Sequence, residues 1–147
     1  MTSKTKILTL SAFLAFFACD SLLAEQTRNG ESEFKSYCAS CHGLDGKGNG
    51  PFVKFLKDKP NSLTTLARDN QGVFPFSKVY DVIDGRKHLS DHGTKDMPIW
   101  GERYAIEILN KYGEYSTTHP ETVRCRILEL VFYLAELQEY PDTVLER

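Results

Sequence analysis

Several features common in other functional classes are missing from this 147-residue chain. Charge of one sign is missing: 18 Lys and Arg face 20 Asp and Glu, a net of −2 with no dense basic run. That excludes a nucleic-acid binder, which needs a concentrated positive field to displace counterions. A membrane-length apolar run is missing too. The longest, Ile7 to Ala18, is short of the about 20 residues that cross a bilayer. No segment alternates apolar and polar residues as a half-buried strand would, and there is no internal repeat. Methionine and tryptophan are scarce, with two Met and one Trp against nine Phe and seven Tyr. Since Met1 is the initiator, Met97 is the sole methionine left for any specific task. With 41% apolar and 26% charged residues the balance is still that of a globular chain, one domain in size.

What is present begins with an export leader. Lys4 and Lys6 give a positive start, Ile7 to Ala18 is the apolar stretch, and small residues follow. The expected signal peptide is residues 1–24, cut after Ala24, leaving a domain of residues 25–147 with net charge −3. The alternative is a lipoprotein signal cut before Cys19, although Phe16 is bulky where a lipobox prefers Leu. The protein is therefore expected to be periplasmic, and membrane-anchored only if the N-terminus is lipidated or retained. Beyond the leader three cysteines remain, Cys38, Cys41 and Cys125, an odd number that makes a poor disulfide framework.

The rest reads as all-α with long loops. Glu25 to Gly30 is a polar leader. Phe34, Tyr37, Cys38 and Cys41 then form a helical stripe. Gly43 to Pro51 holds four glycines and is a loop. Phe52 to Lys57 makes at most one helical turn, and Asn61 to Asn70 a short helix with Leu63, Leu66 and Ala67 on one side. Phe76, Val79, Tyr80 and Ile83 recur at helical spacing until Gly85 stops them. Arg86 to Gly101 is an extended loop, and Arg103 to Tyr112 a helix ended by Gly113. Thr118 to Glu121 has capping-box spacing, with Pro120 in the first turn. Val123, Ile127, Leu130, Val131 and Leu134 continue as an apolar stripe, bounded by Pro141. Such long loops around so small a core imply that something besides side chains fills the interior.

Cys38-Ala39-Ser40-Cys41-His42 supplies that something. C-x-x-C-H is the spacing for covalent haem attachment. Two cysteines three apart share a helix face and can each form a thioether with a porphyrin vinyl group. The next residue, His42, then lies under the ring as an axial ligand to iron. A thioredoxin-like pair would want a βαβ setting, which is missing, and a structural zinc site would want four ligands, with no second C-x-x-C in the chain. Met97, in Met97-Pro98-Ile99-Trp100-Gly101, is the expected second axial ligand. Its bland alternative is core filler, and His88, His92 and His119 are its rivals. The Pro51 carbonyl is a candidate acceptor for the other His42 nitrogen, against a plain role in ending the loop. Trp100 and Arg86 could pair with haem propionates, against packing for Trp100 and a solvated surface position for Arg86. Cys125 reads as a small buried residue.

On these pieces the sequence resembles class I (His/Met) bacterial cytochrome c: Cys38 to Gly43, Asp45 to Pro51, Met97 to Gly101, and the end helix Ile127 to Leu134. The resemblance covers most of residues 30–139. It implies a cytochrome c-like helical fold wrapped around one covalently attached haem c, with the first and last helices crossing at Gly30 and Phe34 against Leu130 and Tyr133. It departs from the family pattern in a long stretch from Gly101 to Pro120, bearing Tyr104, Tyr112 and Tyr115. If His42 and Met97 fill both axial positions, no site is left open for a substrate. The iron then only exchanges electrons, so the expectation is a monomeric electron carrier, not an enzyme, docking transiently with other redox proteins of a respiratory or dehydrogenase chain. Its rivals are a haem subunit of one fixed oxidoreductase, and a gas sensor or peroxidase-like protein with an open or displaceable sixth ligand.

Overall fold

The computed structural model describes residues 27–85, 97–113 and 119–139. Among them there is no strand, and the architecture is all-α, as the sequence implied. In chain order the helices are α1 (27–37), α2 (Ala39–His42), α3 (Phe76–Asp84), α4 (Trp100–Tyr112) and α5 (His119–Glu136), with 3-10 turns at Val53–Phe55 and Arg68–Asn70.

The frame is α1 laid across α5. Phe34 and Tyr133 meet with ring centroids 5.4 Å apart, and Leu130 is buried beside them. Gly30 permits this approach: a Cβ there would lie 2.0 Å from the Glu129 carbonyl oxygen. Residues 27–30, inside the expected polar leader, are already helical, and this contact holds them against α5. Gly30 is a poor helix former, but its packing against α5 outweighs a propensity cost of about 1 kcal/mol. Along α5 the stripe of Val123, Ile127, Leu130, Val131 and Leu134 is buried throughout. The Thr118 cap and Pro141 lie outside the described residues.

The other helices close on the same core. In α3, Val79 and Ile83 are buried, and Phe76 sets its ring edge-on to Phe132 of α5 at 5.3 Å. Gly85 ends α3 in the left-handed region and donates its N–H to the Asp81 carbonyl. α4 begins at Trp100, three residues before the expected start at Arg103, because Trp100 and Gly101 are themselves drawn into the core. Fully burying a side chain such as Phe34 contributes about 1.5–3 kcal/mol.

One expected helix is not formed. Asn61 to Asn70 is a series of turns ending in the single 3-10 turn. Its backbone groups are claimed from outside. Gln138 accepts from the Ala67 N–H at 2.8 Å and donates to the carbonyls of Leu63 and Leu134, both at 2.7 Å. The Glu139 N–H donates to the Thr64 carbonyl at 2.8 Å. Leu63, Leu66 and Ala67 still turn to the core. Their burial was legible, but the backbone conformation that achieves it was not.

Candidate functional site

The Cys38–His42 turn continues directly from α1. Cys38 donates to the Phe34 carbonyl at 2.9 Å, and its own carbonyl accepts from both Cys41 (3.1 Å) and His42 (2.9 Å). Cys38, Cys41 and His42 thus share one helical turn, with both thiols free and half-buried. Ser40 Oγ lies 4.0 Å from Cys41 Sγ.

A turn this short leaves its last carbonyls without helical partners. The glycine loop supplies them. Phe52 donates to Ser40 at 2.9 Å, Gly50 to Cys41 at 3.1 Å, and Gly48 to His42 at 2.7 Å. The loop comes close enough only because Gly50 has no side chain; a Cβ there would lie 2.3 Å from the Ser40 oxygen. Asp45 stiffens the loop by accepting from the Lys47 N–H and from Asn49 Nδ2, both at 3.1 Å. The Lys47 hydrogen bond is the main reason its carboxyl is held below the ordinary range.

Burial governs the side chains of the turn. It lowers the pKa of His42, which favours the neutral imidazole. It pushes the Cys38 thiol up to about 12, with the Glu33 carboxylate and Cys41 adding to the effect. His42 Nδ1 is buried with no hydrogen-bond partner. The candidate acceptor, the Pro51 carbonyl, does not bond it; Pro51 is exposed, and the chain beside it is committed to Ser40 through Phe52.

Met97 is half-buried and packs on the hydrophobic cluster that also includes Tyr37, Cys38 and Trp100. Trp100 packs in the core: it is buried, edge-on to Tyr37 at 5.7 Å and tilted against Tyr104 at 5.5 Å, with the Arg103 guanidinium 5.1 Å over its ring. Arg86, His88, His92 and Cys19 lie outside the described residues, as does the side chain of His119. Cys125 is exposed, contrary to the expectation of a small buried residue. It sits two residues past Val123, on the side of α5 turned away from the buried stripe. Among the described residues no three His, Cys, Asp or Glu side chains stand together as metal ligands.

Sequence reasoning missed a charged cluster. Arg126 of α5 pairs with Glu33 of α1 at 2.9 Å and with Glu107 of α4 at 2.5 Å. Its guanidinium lies 4.1 Å over the Tyr104 ring. Tyr104 is wholly buried, its hydroxyl without a hydrogen-bond partner. Burial, then the nearby Glu33 carboxylate, raises its pKa well above the usual phenol value. The one trace of this in the sequence is an arginine immediately before the stripe residue Ile127.

With its described residues all-helical, and a C-x-x-C-H turn directly after α1 backed by a glycine loop, the chain belongs to the class I c-type cytochromes. The model of the family described as cytochrome c oxidase, cbb3-type, subunit III matches residues 25–107, more than half of the chain, and the chain belongs to that family. Comparison with curated proteins and with solved structures gave no match. Membership makes it a haem-based electron-transfer protein, not a catalytic enzyme by itself. Among the described residues no helix is long and apolar enough to cross a membrane.

Proposed function

We propose that the chain holds one haem c through thioethers at Cys38 and Cys41, with His42 and Met97 as axial ligands to iron, and serves as an exported single-electron carrier. The observation that carries this reading is the Cys38–His42 turn itself: two half-buried free thiols three residues apart, followed by a half-buried imidazole whose buried Nδ1 has no protein partner. When bound, the haem supplies a one-electron iron couple. The chain's own residues do the rest. The two cysteines fix the ring, and the loop bonds to Ser40, Cys41 and His42 hold the turn in shape. Desolvation favours the neutral imidazole of half-buried His42, the form that can ligate. Apolar side chains near the turn stand outward and suit a flat apolar ligand, with Leu44 70% and Phe55 73% exposed. Met97 supplies a soft thioether, which raises the reduction potential relative to a second histidine.

Export rests on the leader at residues 1–24, with lipidation at Cys19 as the anchored form. The partners are other redox proteins, met transiently by a monomer. The family description favours a second reading, in which the same haem serves one fixed oxidase complex. A stable partner co-purifying with the native protein would select it.

A haem stain on a denaturing gel, with the intact mass of the exported protein, tests attachment. A covalently stained band is expected, and an unstained one removes the proposal. Near-inertness of the reduced protein to carbon monoxide is expected if Met97 ligates. Rapid binding would instead select the open-site sensor or peroxidase reading. Met97→Ala should abolish the far-red absorption band of methionine-bound ferric haem.

A further inference from the structure

The Arg126 cluster does more than join three helices. Its two best-buried members form a hydrogen-bonded ion pair: Arg126 Nη2 and Nε lie 2.9 and 3.1 Å from Glu33 Oε1, with side chains only 23% and 16% exposed. Glu107 completes the group from the wetter side, at 43% exposure. The position matters. Glu33 lies one helical turn before Tyr37, and Tyr37 immediately precedes Cys38. The Arg126 guanidinium stands 5.8 Å from the Tyr37 ring, and Tyr37 and Cys38 share the hydrophobic cluster on which Met97 packs. The Glu33 carboxylate already makes itself felt at the Cys38 sulfur, the nearer attachment point. A charge so shielded from water acts over a longer range than a surface charge does.

We propose that Glu33, Arg126 and Glu107 set the reduction potential of the haem held at Cys38, with Arg126 neutralising a carboxylate that would otherwise favour the oxidised iron. The inference rests on the haem reading given above. With two carboxylates and one guanidinium, the cluster carries one net negative charge. Reduction adds an electron, so removing negative charge favours the reduced form and removing the positive charge favours the oxidised form. Glu33, Arg126 and Glu107 act here as positioning residues, through the field they impose and not by touching iron.

The test is spectroelectrochemical titration of the purified holoprotein and four variants at pH 8, with covalent haem quantified first. At the wild-type midpoint, Glu33→Gln should shift the oxidised-to-reduced ratio towards reduced by roughly threefold or more. Glu107→Gln should shift it the same way but less, because water screens it. Arg126→Met should shift it towards oxidised. Arg126→Lys keeps the charge while losing the forked geometry, so it should stay near wild type even where thermal stability falls. If the cluster only pins the helices, all four variants will melt earlier or unchanged while keeping one midpoint. Equal midpoints for wild type, Glu33→Gln and Glu107→Gln with haem intact overturn the inference alone. A wild-type protein without covalent haem overturns the reading beneath it.

Discussion

Two regions of the molecule reach order by opposite means. Where α1 crosses α5, side chains do the holding: Phe34, Leu130 and Tyr133 interlock, and little main-chain bonding passes between the helices. Around the Cys38–His42 turn the main chain does the holding. The loop from Gly43 to Phe52 spends its N–H groups on the carbonyls of the turn, while apolar side chains such as Leu44 and Phe55 stand in solvent. The first region is a core that could serve any helical protein. The second is a preformed cradle whose shape owes little to its own side chains. The difference separates what makes the chain fold from what makes it a cytochrome.

Substitutions can break that comparison from either side. The largest effect is expected in the helix crossing. Phe34→Ala should cost about 3–5 kcal/mol, enough to threaten a domain of this size, and should lower the melting temperature steeply by circular dichroism. Next is Gly50→Ala, which pushes a methyl group into the Ser40 carbonyl. A loss of about 1–3 kcal/mol is expected. Its distinguishing mark is a fall in haem per polypeptide larger than any fall in helical signal. If helix content drops first, the two regions are not separable. Gln138→Ala should follow at about 1–3 kcal/mol, because it strands the Ala67 N–H and two carbonyls away from water. Hydrogen exchange at Ala67 should accelerate selectively.

The smallest effect sharpens the contrast through pH. Asp45 has its folded pKa depressed, chiefly by the Lys47 N–H, so its contribution is complete above the unfolded carboxylate value. It is lost as pH falls through the lower folded value. Melting temperatures recorded from pH 7 down to 3 should show less acid-side decline in Asp45→Asn than in wild type. An identical decline would mean that this exposed carboxylate contributes nothing to the loop.

Local patterns were legible in the sequence, and long-range claims on the backbone were not. The α5 stripe and the Gly85 stop of α3 were visible because each repeats or ends within one helix. The attachment turn was visible because its chemistry demands a fixed spacing. The crossing at Gly30 and Phe34 came only from the family resemblance, and the loss of helix in 61–70 depends on Gln138 reaching Ala67, a separation of 71 residues. No window of neighbouring residues contains such facts. The Glu33–Arg126 pair, 93 residues apart, was hidden for the same reason. The exposure of Cys125 was within reach: counting helical positions from Val123 puts it on the outer face, whereas the general preference of cysteine for burial pointed inward.

The interlock of Gly30 with Glu129 also governs timing. Asn29 and Glu129, which hydrogen-bond beside it, are 100 residues apart. A chain emerging from its N-terminus therefore displays both sulfurs of the motif while the helix that carries them still waits for its mate. Only when α5 arrives can this crossing close, so the Cys38–His42 turn is synthesised long before its helix is held in place.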